Sequence, residues 1–262
     1  MKSKLSCLAS ALALGLFASA NASAVVVGGV DFGDMGDTHI ETATFATTWI
    51  SPGSGTGTQT IGYGMVTTLN GATNYCASGT CTMYFTYSAE LAAPATTTDP
   101  MLFINSVYTF YLADTSAINF MKQSSDANMA YITGLTEWAQ FTGTVQPGGY
   151  DYIMTPSTYT GVSFNGTGYG LADVNLAFGL ADVAAYLNGN AASLGADIEI
   201  TSSTNTLVRD PKDTCNFQNG QWCMQGTVNT RGIVNVPEPA SLALFALGAL
   251  GLGLSRRRKT AV

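Results

Sequence analysis

Hydrophobic and polar residues alternate in several short runs across the middle of the chain, a pattern typical of strands with one buried face. Met83, Phe85 and Tyr87 would share one face of such a strand, and Ile198 and Ile200 would share one face of another. The runs with this character are Ile40–Ile50, Gln59–Leu69, Cys81–Leu91, Met101–Leu112, Glu137–Val145, Tyr159–Phe164, Ala196–Thr201 and Cys223–Val234.

Turn-forming residues separate these runs, as at Pro52–Gly55, Pro94–Pro100 and Pro147–Gly149. Many short strands with such turns indicate an all-β fold, and we predict a single β-sandwich or jelly-roll-like domain. One short helix is predicted from Leu180 to Leu187, because the apolar residues of that segment fall at helical spacing.

Residues 1–24 have the three parts of a secretory signal peptide. Two lysines form a positive start, Leu5–Phe17 is a short apolar run, and Ala22 and Ala24 belong to small-residue cleavage patterns. We expect signal peptidase to remove this segment, so that an extracellular domain over residues 25–235 starts near Val25.

The end of the chain combines three segments in a fixed order. Val236-Pro237-Glu238-Pro239 comes first, and its prolines favour an extended backbone. The uncharged apolar run Ala240–Leu254 follows; as a helix it would extend roughly 22 Å, short of the ~30 Å hydrocarbon core of a bilayer. A basic cluster ends the segment and consists of Arg256, Arg257, Arg258 and Lys259. A short apolar tail with a polar motif before it and charges after it is typical of a tail that is later removed.

This tail resembles the PEP-CTERM sorting signal of Gram-negative bacteria, with Pro237, Glu238 and Pro239 as its motif. The resemblance implies a sorting signal over residues 236–259, a transmembrane helix that anchors the chain transiently in the inner membrane, and recognition by an exosortase, a membrane transpeptidase that cuts near the motif. It also implies a bacterium that makes exopolysaccharide and builds biofilm or floc. Val107–Phe120 and Ala184–Ser203 are similar to parts of flocculation-associated PEP-CTERM proteins.

The segment between the two ends is strongly acidic. Its basic residues are Lys122, Arg209, Lys212 and Arg231, whereas nearly all of the 17 acidic residues fall within it. A surface of that sign repels phosphate backbones and anionic lipid headgroups, so nucleic-acid binding is not expected.

Four cysteines remain once the signal peptide is removed, and an even number in an exported chain indicates disulfides, with three pairings to choose from. A two-residue turn at Ser78-Gly79 would place Cys76 opposite Cys81. A three-residue loop with a left-handed glycine would place Cys215 opposite Cys223. We therefore predict these two local bridges. A zinc site of four thiolates is the competing interpretation, but the spacings are not those of the usual zinc knuckles.

Catalytic chemistry has few candidates. His39 is the only histidine, and no nucleophile motif accompanies it, so polar surface is the expected role. Glu90, Glu137 and Glu199 are candidates for a paired-carboxylate glycosidase, but none has a recognisable context and exposed strand faces are the expected positions.

Calcium is the second metal for which the sequence offers candidate ligands. Asp31, Asp34 and Asp37 lie close together in a Gly-rich segment, and carboxylate oxygens suit this ion. Their spacing is not that of an EF-hand, so we expect a solvated acidic loop and predict no cofactor.

Threonines recur in Thr-x-Thr pairs, which align two hydroxyls on one face of a strand. The pairs are Thr42/Thr44, Thr58/Thr60, Thr80/Thr82, Thr142/Thr144, Thr158/Thr160 and Thr204/Thr206. Their spacing along the chain has no constant period, so the sequence predicts no regular hydroxyl ladder and argues against ice binding.

Together these features predict a secreted, non-enzymatic protein of the cell surface or extracellular matrix. An exosortase would sort it, and its role would lie in exopolysaccharide, biofilm or floc formation, with tyrosine and tryptophan faces as the expected polysaccharide contacts. The alternative is a secreted carbohydrate-active hydrolase, which would require a convergent carboxylate pair in an aromatic cleft.

Overall fold

The computed structural model describes residues 25–33, 37–206 and 215–233. The predicted signal peptide, sorting motif, apolar run and basic cluster lie outside these ranges. The described residues belong to one unit of the chain, Val25–Asn235. None of the helices among them has the length and hydrophobicity needed to cross a membrane.

Within these ranges the backbone forms eleven strands and two α-helices. The strands are β1 (Val26–Val27), β2 (Val30–Asp31), β3 (Asp37–Thr48), β4 (Gln59–Leu69), β5 (Thr82–Leu91), β6 (Met101–Ala113), β7 (Thr136–Gly143), β8 (Tyr152–Tyr159), β9 (Phe164–Val174), β10 (Ile198–Asn205) and β11 (Trp222–Ile233). The helices are α1 (Ser125–Thr133) and α2 (Ala181–Leu187), and single 3₁₀ turns occur at Phe120–Lys122 and Ser193–Gly195.

Strands β3 to β11 form one antiparallel sheet in the order β10-β11-β3-β4-β5-β6-β7-β9-β8. This sheet closes on itself, because β10 pairs with β9 as well as with β11, and β6 pairs with β8 as well as with β7. Inward-facing side chains from all around the closed sheet make one hydrophobic core. The result is a sandwich-like all-β domain, so the predicted fold class is confirmed.

The alternating pattern places the core as expected. Met83 and Phe85 of β5 point inward and are almost fully buried. Tyr84 between them points outward into a second cluster, where α1 covers the outer face of the sheet with Ile132. Burying one face of each strand in this way supplies most of the driving force for folding.

Helix α1 was not predicted, because polar side chains occupy much of its buried face. Ser125, Asn128 and Ile132 are its buried residues. Ser124 caps the helix by accepting a hydrogen bond from the Ala127 backbone N–H, and the indole N–H of Trp222 donates to Asp126 at 2.9 Å. A serine cap followed by an acidic first turn was the available signal.

The prediction of a strand at Tyr159–Phe164 is wrong. Tyr159 ends β8 and Phe164 begins β9, and the Thr160 N–H donates to the Ser163 carbonyl to close the turn between them. Most of β8 and β9 was missed, because Pro156 and several glycines argue against strands in a sequence. The predicted helix at Leu180–Leu187 is confirmed as α2, with Leu180 at its N-cap.

The short β1–β2 hairpin is anchored to α2 by an aromatic contact and to β7 by a hydrogen bond. Val30 and Phe32 are buried, and the Phe32 ring lies 4.8 Å from that of Tyr186. The indole N–H of Trp138 donates to the Gly28 carbonyl at 3.1 Å. The residues just after the predicted signal peptide therefore form part of the folded domain.

Candidate functional site

The outer face of β8–β11 carries a row of four exposed hydroxyl groups, one from each strand. Thr155 pairs in register with Thr167, Thr167 with Ser203, and Ser203 with Thr227. Directly paired residues of an antiparallel sheet share a face, and neighbouring strands lie about 4.8 Å apart. The four hydroxyls therefore form a continuous line across the sheet.

Two further rows of uncharged polar residues flank this line. Asn229, Thr201 and Tyr169 pair on one side, and Gln225, Asn205 and Asn165 pair on the other. We call the combined surface the hydroxyl face; it consists of Thr155, Asn165, Thr167, Tyr169, Thr201, Ser203, Asn205, Gln225, Thr227 and Asn229. A row that includes Glu199, Arg231 and His39 bounds it at one end.

Regular pairing keeps the hydroxyl face in order. Strand β10 pairs with both β9 and β11 along its whole length without a register shift. The residues that alternate with the face point into the core, among them Ile198 and Ile200 of β10 and Gly166 and Gly168 of β9. Burial of one side of these strands thus fixes which side chains reach the outside.

The sequence did not reveal this surface, because the hydroxyls align across strands rather than along them. Thr167 and Thr227 stand in no Thr-x-Thr pair, and their neighbours in the row come from distant parts of the chain. Predicting the row would have required the register of β8 to β11.

The expected tryptophan face is absent. Trp49 and Trp138 are 0 % exposed and Trp222 is 9 % exposed, so all three indoles belong to the interior or to the contact with α1. Tyr169 is the tyrosine of the hydroxyl face, and it is half-buried. The predicted tryptophan face is therefore wrong, and the outer side of β8–β11 presents hydroxyl and amide groups instead.

Three tyrosines point into the closed sheet and hydrogen bond there. The Tyr152 hydroxyl lies 2.5 Å from the Ser202 hydroxyl, and the Tyr87 hydroxyl is hydrogen bonded to Thr47. Burial raises the pKa of Tyr87 to about 12 and raises the pKa of Tyr108 well above its usual value. These phenols are therefore neutral structural groups over the physiological pH range.

Two aspartates are buried, and both accept backbone hydrogen bonds. Asp151 accepts from the Ser106 N–H at 2.9 Å and from the Ser106 hydroxyl at 2.5 Å. Asp197 accepts from the Val174 N–H at 2.8 Å and from the Asn190 N–H at 2.7 Å. Backbone donors stabilise buried carboxylates, so these two residues join neighbouring segments of the chain.

The predicted glycosidase carboxylates lie on three different strands. Glu90 of β5 accepts hydrogen bonds from Gln59 and Asn105, each at 3.3 Å. Glu137 of β7 is exposed, and Glu199 of β10 accepts from the Ser193 hydroxyl at 3.2 Å. Glu90 and Glu199 are thus each hydrogen bonded to residues close to them in the fold.

His39 lies at the surface beside Glu41. The His39 Nε2 and Glu41 Oε1 atoms are 3.6 Å apart, and both side chains are about two-fifths exposed. The structure thus places this histidine where the sequence predicts it.

Of the calcium candidates, Asp31 lies in β2 and its Oδ1 accepts from the Gly33 N–H at 2.8 Å. Asp34 lies outside the described residues, and Asp37 begins β3. In the part of the chain that the structure describes, no group of three or more His, Cys, Asp or Glu side chains is placed to hold a metal ion. The expectation of a solvated acidic loop at these aspartates, with calcium binding as its alternative, stays a prediction.

The structure contains the two disulfides that the spacing predicts. Cys76 is bonded to Cys81 with a Cα–Cα distance of 5.6 Å, and Cys215 to Cys223 with 5.2 Å. The local backbone differs from the predicted hairpin at the first bridge, because the Gly79 N–H donates to the Cys76 carbonyl and β5 begins only after Cys81.

Residues 235–259 match the sequence profile of a protein family described as PEP-CTERM protein-sorting motif. The chain therefore carries this motif, as the resemblance of the tail indicates, and is an exosortase-sorted secreted surface protein. Exosortase is a membrane enzyme, so the motif entails export and transient membrane anchoring before display at the cell surface. No curated protein matches the chain.

Proposed function

We propose that the protein is a non-enzymatic component of the extracellular matrix or floc that binds neutral exopolysaccharide through its hydroxyl face. The observation that carries the proposal is the in-register row of Thr155, Thr167, Ser203 and Thr227. The sorting motif supports it, because a displayed surface protein meets extracellular polymers first.

The chemistry of the face suits a polyhydroxylated chain. Each serine or threonine hydroxyl both donates and accepts, and asparagine and glutamine add two donors and an acceptor each. A single such hydrogen bond contributes only about 0.5–1.5 kcal/mol net. A polymer that spans several strands makes many at once, so its avidity can exceed that of any single contact.

Charge favours a neutral polymer over an acidic one. Lys122 and Arg231 are the basic residues among those the structure describes, against a clear excess of Asp and Glu. An anionic polysaccharide would approach against this field, whereas a neutral one would not. The three polar rows carry no charged side chain, which is consistent with a neutral ligand.

The absence of a catalytic step is part of the proposal. A glycosidase needs two carboxylates on either side of one glycosidic bond. Glu90 accepts a hydrogen bond from the neighbouring strand, and Glu199 accepts one from Ser193 in a nearby 3₁₀ turn. Asp151 and Asp197 accept backbone hydrogen bonds. These hydrogen bonds support structural roles for the four carboxylates.

The test removes hydroxyls without changing shape or charge. A strain lacking the gene is complemented with the wild type or with the double variant Thr167→Val and Thr227→Val, and mature protein is also sedimented with purified exopolysaccharide. We expect the double variant to be displayed normally but to lose most polymer binding. Thr136→Val, at the exposed start of β7, is the matched control and should bind as the wild type does.

Three outcomes would contradict the proposal. Unchanged sedimentation of the double variant would remove the hydroxyl face as the binding surface. Unchanged floc or biofilm in the deletion strain would remove the matrix role. Release of new reducing ends from the polymer by the mature protein would establish the hydrolase.

A further inference from the structure

The core of the closed sheet contains a void of about 40 Å³. Its walls come from β4–β6 on one side and from β8–β11 on the other, so it lies between the two halves of the domain. Aromatic and thioether side chains dominate the walls, and they include Phe85, Phe103, Phe164, Met101, Met154 and Met224.

The void persists although most of its lining is buried. Tyr152 and Val228 are 9 % exposed and Met154 and Met224 are 7 % exposed, yet all four point into the core. Protein interiors are normally packed to crystal density, so unfilled space of this kind forfeits dispersion contacts.

Polar atoms in the wall already have protein partners. The Tyr152 hydroxyl is hydrogen bonded to Ser202, and the Thr60 hydroxyl lies 3.2 Å from that of Thr47, which also bonds Tyr87. A buried water needs about 10–15 Å³ and two to four polar partners. The void has the room for water, but its lining offers mostly carbon and sulfur, which suits an apolar occupant.

We infer that this void is a binding site for a small apolar group of a few heavy atoms, such as the end of a short alkyl chain. Two structural facts define the class of ligand. The aromatic and thioether walls exclude charge, and the volume is roughly a quarter of an engineered ~150 Å³ cavity that binds benzene. Met101 and Met154 are register partners across β6 and β8, and unbranched thioethers adapt readily to a ligand. This site does not depend on the hydroxyl face.

The probes are xenon and benzene, applied to the mature exported protein with labelled methionine methyl groups. We expect xenon to shift the signals of Met101, Met154 and Met224 saturably. Met121, which is 44 % exposed, is an internal control that should not shift. Benzene should leave the wild type unchanged, because it is too large.

Two variants change the size of the void in opposite directions. Ala89→Leu should fill it, raise the melting temperature and abolish the xenon shift, since Ala89 lines the void and is 4 % exposed. Ala177→Leu adds the same atoms at an exposed turn and should do neither. Met224→Ala should enlarge the void and let benzene shift the remaining methionine signals, which keeps the test decisive if Ala89→Leu does not fold.

Several results would overturn the inference. A folded wild type without a saturable xenon shift would show that the void admits no apolar ligand. An equal shift in wild type and Ala89→Leu would place xenon elsewhere. A saturable response to acetamide, a polar molecule of similar size, would show a water-filled cavity with a different specificity.

Discussion

The ring of Tyr87 on β5 packs against Gly62, its register partner on β4, so closely that a Cβ on Gly62 would stand 2.1 Å from Tyr87 Cε1. The same relation recurs on the opposite side of the core, where a Cβ on Gly168 would stand 1.7 Å from the Tyr152 hydroxyl. Glycine inside a strand usually weakens it. Here the tyrosine rings fill the space that the glycines leave, and the inward hydroxyls depend on it.

Replacing Gly62 by alanine should therefore destabilise the domain. The added methyl overlaps the Tyr87 ring and also the Ala46 carbonyl, at 2.8 Å, so the tyrosine must move away from Thr47. Overpacking of this kind costs about 1–3 kcal/mol of unfolding free energy. Urea unfolding of the mature protein measures the loss.

Gly161→Ala is the matched control for that substitution. Gly161 lies in the β8–β9 turn, and a Cβ there would meet nothing within 4 Å. Its unfolding free energy should stay within about 0.5 kcal/mol of the wild type. Equal stability of the two glycine variants would show that the Tyr87–Gly62 contact is not tight.

Alkaline pH should destabilise the protein, because three inward-facing tyrosines keep their protons to a higher pH than tyrosines of the unfolded chain do. A tyrosine in an unfolded chain ionises near pH 10. Burial raises the pKa of Tyr87 to about 12 and raises the pKa values of Tyr108 and Tyr152. From about pH 10 to 12 the unfolded chain thus releases protons that the folded protein keeps, and the unfolding free energy falls as pH rises. Tyr87 alone would contribute roughly 2–3 kcal/mol to this fall.

Urea unfolding from pH 8 to 12, followed with tyrosinate absorbance, measures that dependence. Tyr87→Phe should reduce the slope, because the group that titrates is gone. Thr47→Val removes a hydrogen bond that lowers the pKa of Tyr87 but keeps the phenol, so its slope should be at least as steep as that of the wild type. Equal slopes for all three proteins would show that Tyr87 ionises normally in the fold.

The two disulfides should stabilise different parts of the domain. Around Cys76, the Ala77 N–H donates to Gly29 and the Asp31 N–H donates to Tyr75, so this loop holds the β1–β2 hairpin. Replacing Cys76 and Cys81 by serine should speed hydrogen exchange at those amides and cost about 2 kcal/mol, the low end for a short loop. Hydrogen exchange with peptide mapping under non-reducing conditions measures both effects.

The double serine variant of Cys215 and Cys223 is the comparison, because Cys223 lies in β11 and is fully buried. It should leave the hairpin amides protected. A peptide that joins Cys81 to Cys215, or four free thiols in exported protein, would contradict the pairing itself.

Alternation predicted strands well where one face is buried against the core by large side chains. Gln59–Leu69 is β4 to the residue, and Met101–Leu112 falls one residue short of the end of β6. In β9 the inward positions are Gly166, Gly168 and Gly170, so the hydrophobic signal is missing there. Tyr152 of β8 fills the space beside these glycines. The alternation pattern within β9 cannot predict a contact that comes from another strand.

One repeated pentapeptide shows how tertiary context decides local structure. Gly170–Val174 and Gly179–Val183 have the same sequence, Gly-Leu-Ala-Asp-Val. The first copy is the end of β9, paired with β8, β7 and β10. The second turns at Gly179 with φ +73° and starts α2. The intrinsic helix and strand propensities of five residues are too weak to determine whether the segment forms a strand or a helix. Tertiary contacts, here the neighbouring strands, therefore determine it.

The candidate site was predictable only in part for the same reason. The sorting motif is a contiguous segment, and its residues could be recognised directly. The hydroxyl face is assembled from four strands. Thr155 and Thr227 lie in the same row only because of how β9 and β10 pair between them. The composition of the chain indicated a polar, uncharged surface but not which strands carry it.

The sorting motif leads to the last prediction. Protein recovered outside the cell should lack Ala240–Val262, because exosortase cuts near the motif. Replacing Glu238 by alanine, or Pro237 and Pro239 together, should leave signal-peptide removal intact but stop this cut. The uncut protein should then accumulate in the inner membrane, since its apolar run and basic cluster remain. Intact-mass analysis of extracellular and membrane fractions measures both products.

Glu137→Ala is the matched control for the motif variants, because Glu137 is an exposed glutamate of β7 outside the tail. It should be cut and displayed like the wild type. An extracellular mass that includes the tail, together with normal display of the Glu238 variant, would contradict the sorting mechanism and leave an ordinary anchored envelope protein. Loss of display in both variants would instead point to a folding defect, which the unfolding free energy of each variant would reveal.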